Sequence, residues 1–274
     1  MPDDSTLVRF DDVSLYFGNT PALDRVSFQI GPGDTRIIFG AAGSGKTTLL
    51  KTALGLVKPD SGRIYLFGQD VTDFKESALY DIRSRMGILF QEGGLFDSMT
   101  GAENVAYPLV NQRALKERSA SRNGNVDEKV REALRFVELE HTLDKAPSEL
   151  SGGMRRRVGI ARAIVTEPPL ELYDSPTAGL DPITANTIIN LIIKERDLHN
   201  TATIMVTHRY QDGHLMANFR YNPNSGQIEQ APHNGESSQV KTKFFVMNEG
   251  RLVFVGSQSE LKASRDPYVR KFVK

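Results

Sequence analysis

The chain has 274 residues, with 34 lysines and arginines balanced by 34 aspartates and glutamates, and no cysteine. That length can bury a sizeable core, as one large domain or two small lobes. The balanced charge provides no global field to attract nucleic acid or an anionic lipid surface, and the lack of cysteine excludes a disulfide framework and thiolate chemistry. No apolar run approaches the roughly 20 residues that span a bilayer, and the acidic start Met1-Pro-Asp-Asp-Ser5 lacks a signal-peptide pattern. The expectation is a soluble intracellular protein whose membrane role, if it has one, is exercised through a partner.

In chain order, Leu7-Val-Arg-Phe10 and Val13-Ser-Leu-Tyr16 alternate as strands, and Gly18-Asn-Thr-Pro21 reads as a loop. Val26-Ser-Phe-Gln-Ile30 alternates again and ends in the turn Gly31-Pro-Gly-Asp34. The run Arg36-Ile-Ile-Phe39 predicts a buried strand. It leads into Gly40-Ala-Ala-Gly-Ser-Gly-Lys-Thr47, which matches the phosphate-binding pattern G-x-x-x-x-G-K-[ST], and then into Thr48-Leu-Leu-Lys-Thr-Ala-Leu54 with helical spacing. Glycines let such a loop turn its N–H groups inward around an anion, and the helix N-terminus adds partial positive charge. Lys46 is expected on the β- and γ-phosphates and the Thr47 hydroxyl on Mg²⁺, with Gly40, Gly43, Ser44, Gly45 and Thr48 completing the cradle.

Beyond the turn Pro59-Asp-Ser-Gly62, Arg63-Ile-Tyr-Leu-Phe67 reads as a strand, so the amino-terminal part is β-rich around one strand–loop–helix unit. From about Phe96 to Gly153 the texture is helical. Val126, Val130, Ala133, Leu134 and Val137 share one helix face. Asn123-Gly-Asn125 reads as a break and cap, and the charged run from Arg113 to Arg122 as a solvated helix or loop. Then Leu170-Glu-Leu-Tyr-Asp174 reads as a strand, Ile183 to Leu198 as a helix and Ala202-Thr-Ile-Met-Val206 as a strand, the α/β pattern of a mostly parallel sheet. Tyr221 to Val240 is polar and reads as a loop or exposed hairpin. Phe244 to Phe254 reads as two strands around Asn248-Glu-Gly250, followed by a short helix from Ser259 to Ala263 and a tail ending Tyr268-Val-Arg-Lys-Phe272.

Several motifs follow the phosphate loop or precede its partners in a fixed order. Gln91 comes after the apolar run Ile88-Leu-Phe90, then Leu150-Ser-Gly-Gly-Met154, Tyr173-Asp174 closing an apolar strand, Ala178-Gly-Leu-Asp181, and Thr207-His208 ending the next strand. Asp174, at the C-terminal end of a parallel strand, lies where open α/β sheets bind ligands. A carboxylate there holds Mg²⁺ directly or through water. Ser151, Gly152 and Gly153 open a helix whose N–H groups suit a phosphate.

Over about residues 7 to 256, this combination resembles the nucleotide-binding subunit of an ABC transporter. The resemblance implies an α/β P-loop NTPase fold: a RecA-like core with an antiparallel β-subdomain (residues 7–95 and 158–256) and a helical signature subdomain (96–157). A polar insertion (221–242) and a C-terminal helix and tail (257–274) complete the expected organisation. It implies ATP and Mg²⁺ as ligands, with Lys46, Gln91, Asp174 and His208 in catalysis and Thr47, Gln91 and Asp174 at the metal. In that scheme Ser151, Gly152 and Gly153 serve ATP held by a second copy, so a homodimer carries two composite sites, and Asp181 is counted among the ATP-binding residues. His208 contacts the γ-phosphate, and Gln91 contacts Mg²⁺ and the attacking water. An aromatic before a glycine stacks adenine; Phe17 is favoured, Tyr16 is the runner-up, and core packing is the alternative for both. Arg155-Arg-Arg157 opposes a helix dipole and reads as an exposed helix start or a dimer-interface element.

One position departs from the pattern. Where the family has a glutamate after the strand-end aspartate, this chain has Ser175. A serine hydroxyl is a poor base near neutral pH, and losing a general base costs about 10²–10⁴-fold in rate. A natively slow enzyme, another group such as His208 or a partner residue handling the water, and an engineered trap that holds ATP all fit. ATP binding with weak hydrolysis is the expectation.

Gly94-Leu-Phe-Asp-Ser-Met-Thr-Gly-Ala-Glu-Asn-Val-Ala-Tyr-Pro108, the methionine of Leu150-Ser-Gly-Gly-Met154 and the tail from Asp266 to Phe272 are similar to the ATPase of MCE-associated, Mla-type phospholipid transport systems. That implies a peripheral subunit on the cytoplasmic face of the inner membrane, coupled to an integral membrane permease and an MCE-domain protein, with no nucleic-acid partner. Tyr268 and Phe272 either anchor a neighbouring subunit or cap this chain's own core. An importer ATPase for a small polar solute and a non-transport, ATP-gated scaffold are the rival functions.

Overall fold

Alternation along the strands sorts the side chains into two cores. The computed structural model describes residues 6–116, 126–231 and 241–273. In chain order the elements are β1 (Val8–Phe17), β2 (Thr20–Ile30), β3 (Thr35–Gly40), α1 (Lys46–Ala53), β4 (Ser61–Leu66), β5 (Gln69–Asp70), α2 (Glu76–Arg83) and β6 (Met86–Leu89). They continue with α3 (Gly101–Lys116), α4 (Val126–Phe136), α5 (Gly152–Ile164), β7 (Leu170–Asp174), α6 (Pro182–His199), β8 (Ala202–Val206) and α7 (Tyr210–Asn218). The last are β9 (Phe219–Asn222), β10 (Gln227–Gln230), β11 (Thr242–Asn248), β12 (Arg251–Gly256) and α8 (Gln258–Ala263).

The central sheet has the order β12-β11-β3-β8-β7-β6, parallel except for β12 at one edge. Ile37, Phe39, Tyr173, Met205, Phe244 and Val246 face one core, with α5 and α6; Ile38, Leu172, Ile204, Val206 and Phe245 face the other, with α1 and β1. A sheet covered on both faces needs apolar residues at every position, which is why these strands read as runs. Each such side chain, fully buried, contributes about 1.5–3 kcal/mol.

A second, antiparallel sheet has the order β2-β1-β4-β5. Here the sequence expectation of two amino-terminal strands is corrected: β1 is continuous. Asp12 takes a positive φ of 51° and the pairing slips between Phe10 and Val13, so a bulge restores inward alternation and buries Val8, Phe10 and Val13 together. The loop expected at 18–21 is correspondingly shorter, since Thr20 already pairs with Phe17.

Helix α4 buries Val130, Ala133 and Leu134, as its spacing predicts. Residues 113–116 of the charged run continue α3, whereas 117–125, including Asn123-Gly-Asn125, lie outside the described residues. Helix α5 runs without a break through the 157/158 boundary. The reading of Arg155 to Arg157 as an exposed helix start is corrected. Arg156 is buried, Arg155 Nη1 donates to the Leu150 carbonyl at 2.8 Å and Arg157 Nη1 to the Val137 carbonyl at 3.2 Å. Carbonyl dipoles of the preceding segment compensate the cations that the helix dipole disfavours.

The short elements α2, α7 and β5 escaped the pattern reading, and β6 shows in the sequence only as the apolar run Ile88-Leu-Phe90. The expected insertion at 221–242 overlaps the hairpin β9–β10, which begins two residues earlier at Phe219 and packs on α6; residues 232–240 lie outside the described residues, and Thr242 already opens β11. Among the described residues, no helix is long and apolar enough to cross a membrane.

Candidate functional site

The C-terminal ends of β3, β8, β7 and β6 lie side by side, because these strands are parallel neighbours. The glycine loop follows β3 there. Gly45 adopts φ 104°, and a β-carbon on it would lie 2.3 Å from the Ala22 carbonyl oxygen, so both backbone shape and space demand glycine. Lys46 begins α1, and its Nζ donates to the Gly40 and Ala41 carbonyls at 2.9 and 2.7 Å. Burial pulls the Lys46 ammonium below its ordinary pKa, and the Asp174 charge partly offsets this. Gly43, Ser44 and Thr48 belong to the same loop and first turn.

Thr47 and Asp174 meet directly. Thr47 Oγ1 donates to Asp174 Oδ2 at 2.9 Å, and Ser175 Oγ donates to Asp174 Oδ1 at 3.1 Å. A hydroxyl and a carboxylate so placed are hard oxygen donors of the kind Mg²⁺ shares with substrate phosphates and water. Among the described residues, no cluster of three or more histidines, aspartates and glutamates would hold a metal without such a substrate. Ser175 takes a left-handed φ of 52°, and its N–H donates to the Val206 carbonyl at 2.9 Å, which ties the turn after β7 to the end of β8. The serine hydroxyl is thus directed back at Asp174.

Gln91 is exposed at the start of a 3₁₀ turn, Gln91–Gly93, just beyond β6 and one strand away from Asp174. His208 is exposed just beyond β8. Phe17 and Tyr16, 59% and 45% exposed, end β1; the core-packing alternative is corrected, because neither ring has been drawn into the β-sheet core. Their hairpin partner strand β2 carries Ala22, the residue against Gly45, so both rings belong to the end of the small sheet nearest the loop.

Ser151, Gly152 and Gly153 form a separate group. The Ser151 hydroxyl caps α5 by accepting from Met154 N–H at 3.2 Å. Asp181 caps α6, accepting from Ile183 and Thr184 N–H at 3.0 Å each. A β-carbon on Gly153 would lie 2.6 Å from Thr184 Cγ2, so the two helix starts touch. Among the described residues, no hydrogen bond or ion pair joins this group to Lys46 or Asp174.

Residues outside the nucleotide motifs also support the loop. The Gly250 N–H donates to the Ser44 carbonyl at 3.1 Å. The Tyr268 hydroxyl accepts from Ala41 N–H at 3.2 Å and donates to the Met247 carbonyl at 3.1 Å. Phe272 stacks on Phe39, with ring centroids 6.2 Å apart. In this chain Tyr268 and Phe272 therefore pack against their own P-loop strand. The Asn-Glu-Gly turn before β12 was legible in the sequence, and for Tyr268 and Phe272 the structure shows the core-capping alternative.

A phosphate loop, a strand-end aspartate beside its threonine, and a capped serine–glycine helix start on this sheet define an ATP-binding cassette. A family model described as ABC transporter matches residues 23–178, and the chain belongs to that family, whose members bind and hydrolyse ATP. It is 33% identical over 269 residues to the intermembrane phospholipid transport system ATP-binding protein MlaF of Escherichia coli (strain K12), covering 98% of this chain and 89% of that protein. The MlaF of Haemophilus influenzae is 35% identical over 215 residues, 78% of this chain and 79% of that protein. A probable ribonucleotide transport ATP-binding protein, mkl, of Mycobacterium leprae is 35% identical over 192 residues, 70% of this chain and 54% of that protein. Among solved structures, the dimeric, ADP- and phosphate-bound cassette MJ0796 superposes with a TM-score of 0.73 at 28% identity, covering 92% of this chain and 98% of that one.

Proposed function

We propose that this chain is the ATP-driven motor subunit of a phospholipid transporter, peripheral on the cytoplasmic face of the inner membrane. The observation that carries the reading is the 33% identity to an intermembrane phospholipid transport ATPase across 98% of the chain, tail included. In this reading the glycine loop and Lys46 bind the ATP phosphates, Phe17 stacks the adenine, and Gln91 orients the attacking water. Thr47, Asp174 and Gln91 would hold Mg²⁺, which supplies charge neutralisation at the phosphates. Ser151, Gly152 and Gly153 act on ATP held by a second copy, a reading supported by the lack, among the described residues, of any hydrogen bond or ion pair from them to Lys46 or Asp174, and Asp181 contributes to the ATP-binding set.

The permease has a fitting surface beside Gln91. A cavity of about 580 Å³ lies between α2, β6 and α3, lined by Tyr80, Phe90, Phe96, Tyr107 and Arg162 among others. Phe96 and Tyr107 are about two-fifths exposed with ring centroids 4.6 Å apart, and Arg162 reaches the Gly93 carbonyl at 3.1 Å. Aromatic side chains around a concavity suit a helix from a protein partner. Closure of two cassettes on ATP is transmitted there through the Gln91 turn, and the lipid never touches this chain.

Similarity to mkl supports a second reading, in which the cargo is a ribonucleotide. The two are separated by purifying the tagged chain with its permease from detergent-solubilised native membranes and identifying the components. An MCE-domain protein and bound phospholipid in the complex are expected. A solute-binding protein in their place would overturn the phospholipid assignment.

A further inference from the structure

Asp212 belongs to none of the motifs, yet it joins two of them. Its carboxylate projects from α7, is 1% exposed, and accepts at Oδ2 from both Thr177 Oγ1 at 2.5 Å and Thr207 Oγ1 at 2.7 Å. Thr177 lies two residues beyond Ser175, and Thr207 immediately precedes His208. Both threonines are as buried as the aspartate. Thr207 Oγ1 also accepts the Arg209 N–H at 3.1 Å, and the Arg209 guanidinium lies 3.7 Å from Asp212 Oδ1. One buried carboxylate oxygen therefore ties Thr207, and through the Thr207 hydroxyl the Arg209 backbone, to the turn that carries Ser175.

The arrangement opposes its own burial. Removal from water pushes the Asp212 carboxyl above the usual carboxylate range, while the two hydroxyls, then Arg209 and His208, pull it back. Placing a carboxylate in such a site is expensive unless its hydrogen bonds are made. An apolar residue would pack α7 against the sheet without that penalty. What the carboxylate adds is direction, since both hydroxyl protons must point at one atom. The His208 imidazole is itself exposed, and no side-chain hydrogen bond among the described residues fixes it; its position follows from Thr207 and Arg209. Groups that act on a phosphate need such support, because a displacement of about 1 Å costs on the order of 10²-fold.

We propose that Asp212 is a positioning residue for the γ-phosphate side of the nucleotide site, locking the His208 loop to the turn after Asp174. This rests on the reading that His208 meets the γ-phosphate. It places a specificity determinant for triphosphate over diphosphate on α7, outside every nucleotide-binding motif of the chain.

The test is equilibrium binding of Mg-ATP and Mg-ADP to the full chain and to variants, with thermal melts to confirm folding. The ATP-over-ADP affinity ratio isolates the γ-phosphate and does not depend on turnover. His208→Ala and Asp212→Ala are both expected to lower that ratio by about tenfold, the worth of one hydrogen bond to a charged group, with ADP affinity unchanged. Asp212→Asn keeps an oxygen that accepts from both threonines and is expected to restore most of the ratio. Thr207→Val removes one donor with little change of shape and should lower the ratio on its own, even if Asp212→Ala does not fold. Equal weakening of ATP and ADP by Thr207→Val or Asp212→Ala would mark the network as merely structural and overturn the proposal. So would a parent-like ratio in both variants beside a lowered one in His208→Ala. An unchanged ratio in His208→Ala would instead remove the His208 reading, and the inference with it.

Discussion

Glu171 sits two residues before the aspartate-bearing Tyr173-Asp174 pair, fully buried in β7, with Tyr173 Oη donating to its Oε2 at 2.6 Å. Burial first, and repulsion from Glu195 on α6 second, push its carboxyl well above the ordinary range. The folded chain therefore keeps a proton that the unfolded chain releases. The stability this provides is full below the unfolded pKa and is lost as pH rises through the folded one. Glu171→Gln mimics the protonated acid. Its melting temperature should exceed the parent's by a margin that grows from pH 5 to pH 9; a margin independent of pH would contradict this. The sequence places Glu171 inside a strand and so removes it from the chemistry. It could not announce Glu195, because nothing in local spacing brings β7 and α6 together. Asp212 was hidden for the same reason, whereas Lys46 and Thr47 were legible because the loop that presents them is contiguous.

At the scale of elements, the phosphate loop is held from outside its own motif. The β11–β12 turn fixes Ser44, and the C-terminal tail fixes Ala41 and covers Phe39. Tyr268→Phe keeps the ring contact with Phe272 and removes both hydrogen bonds. It should lower unfolding stability by about 0.5–1.5 kcal/mol, read as a lower denaturant midpoint with unchanged slope. A parent-like midpoint would show that the hydroxyl bridge contributes nothing. Strands β3, β7, β8 and β11 were readable as apolar runs because both their faces are covered. The bulge that makes β1 one strand was not, since Asp11-Asp12 looks like a break until Phe10 and Val13 are seen on one side. Helices α2 and α7 are too short for a periodic stripe to establish itself. The arginines after the signature serine–glycine pair looked exposed because their carbonyl partners, at Leu150 and Val137, come from a different segment.

At the scale of the whole molecule, the order of motifs from Gly40 to His208 carried the family assignment, and the fold explains that order. Successive parallel strands deliver their C-terminal ends to one edge, so residues far apart in sequence converge. Ser175 stands at the point where this logic needs a carboxylate. Its hydroxyl engages Asp174, and on the proposed reading the chain would bind nucleotide without the usual general base. The most direct test of this account is ATP binding and turnover by the purified chain beside Ser175→Glu and Lys46→Ala. The parent should bind Mg-ATP and hydrolyse it slowly. Ser175→Glu should gain turnover, up to about 10²–10⁴-fold, and Lys46→Ala should lose ATP binding. Robust hydrolysis by the parent, abolished in Lys46→Ala and not improved by Ser175→Glu, would contradict the account and assign the attacking water to another group.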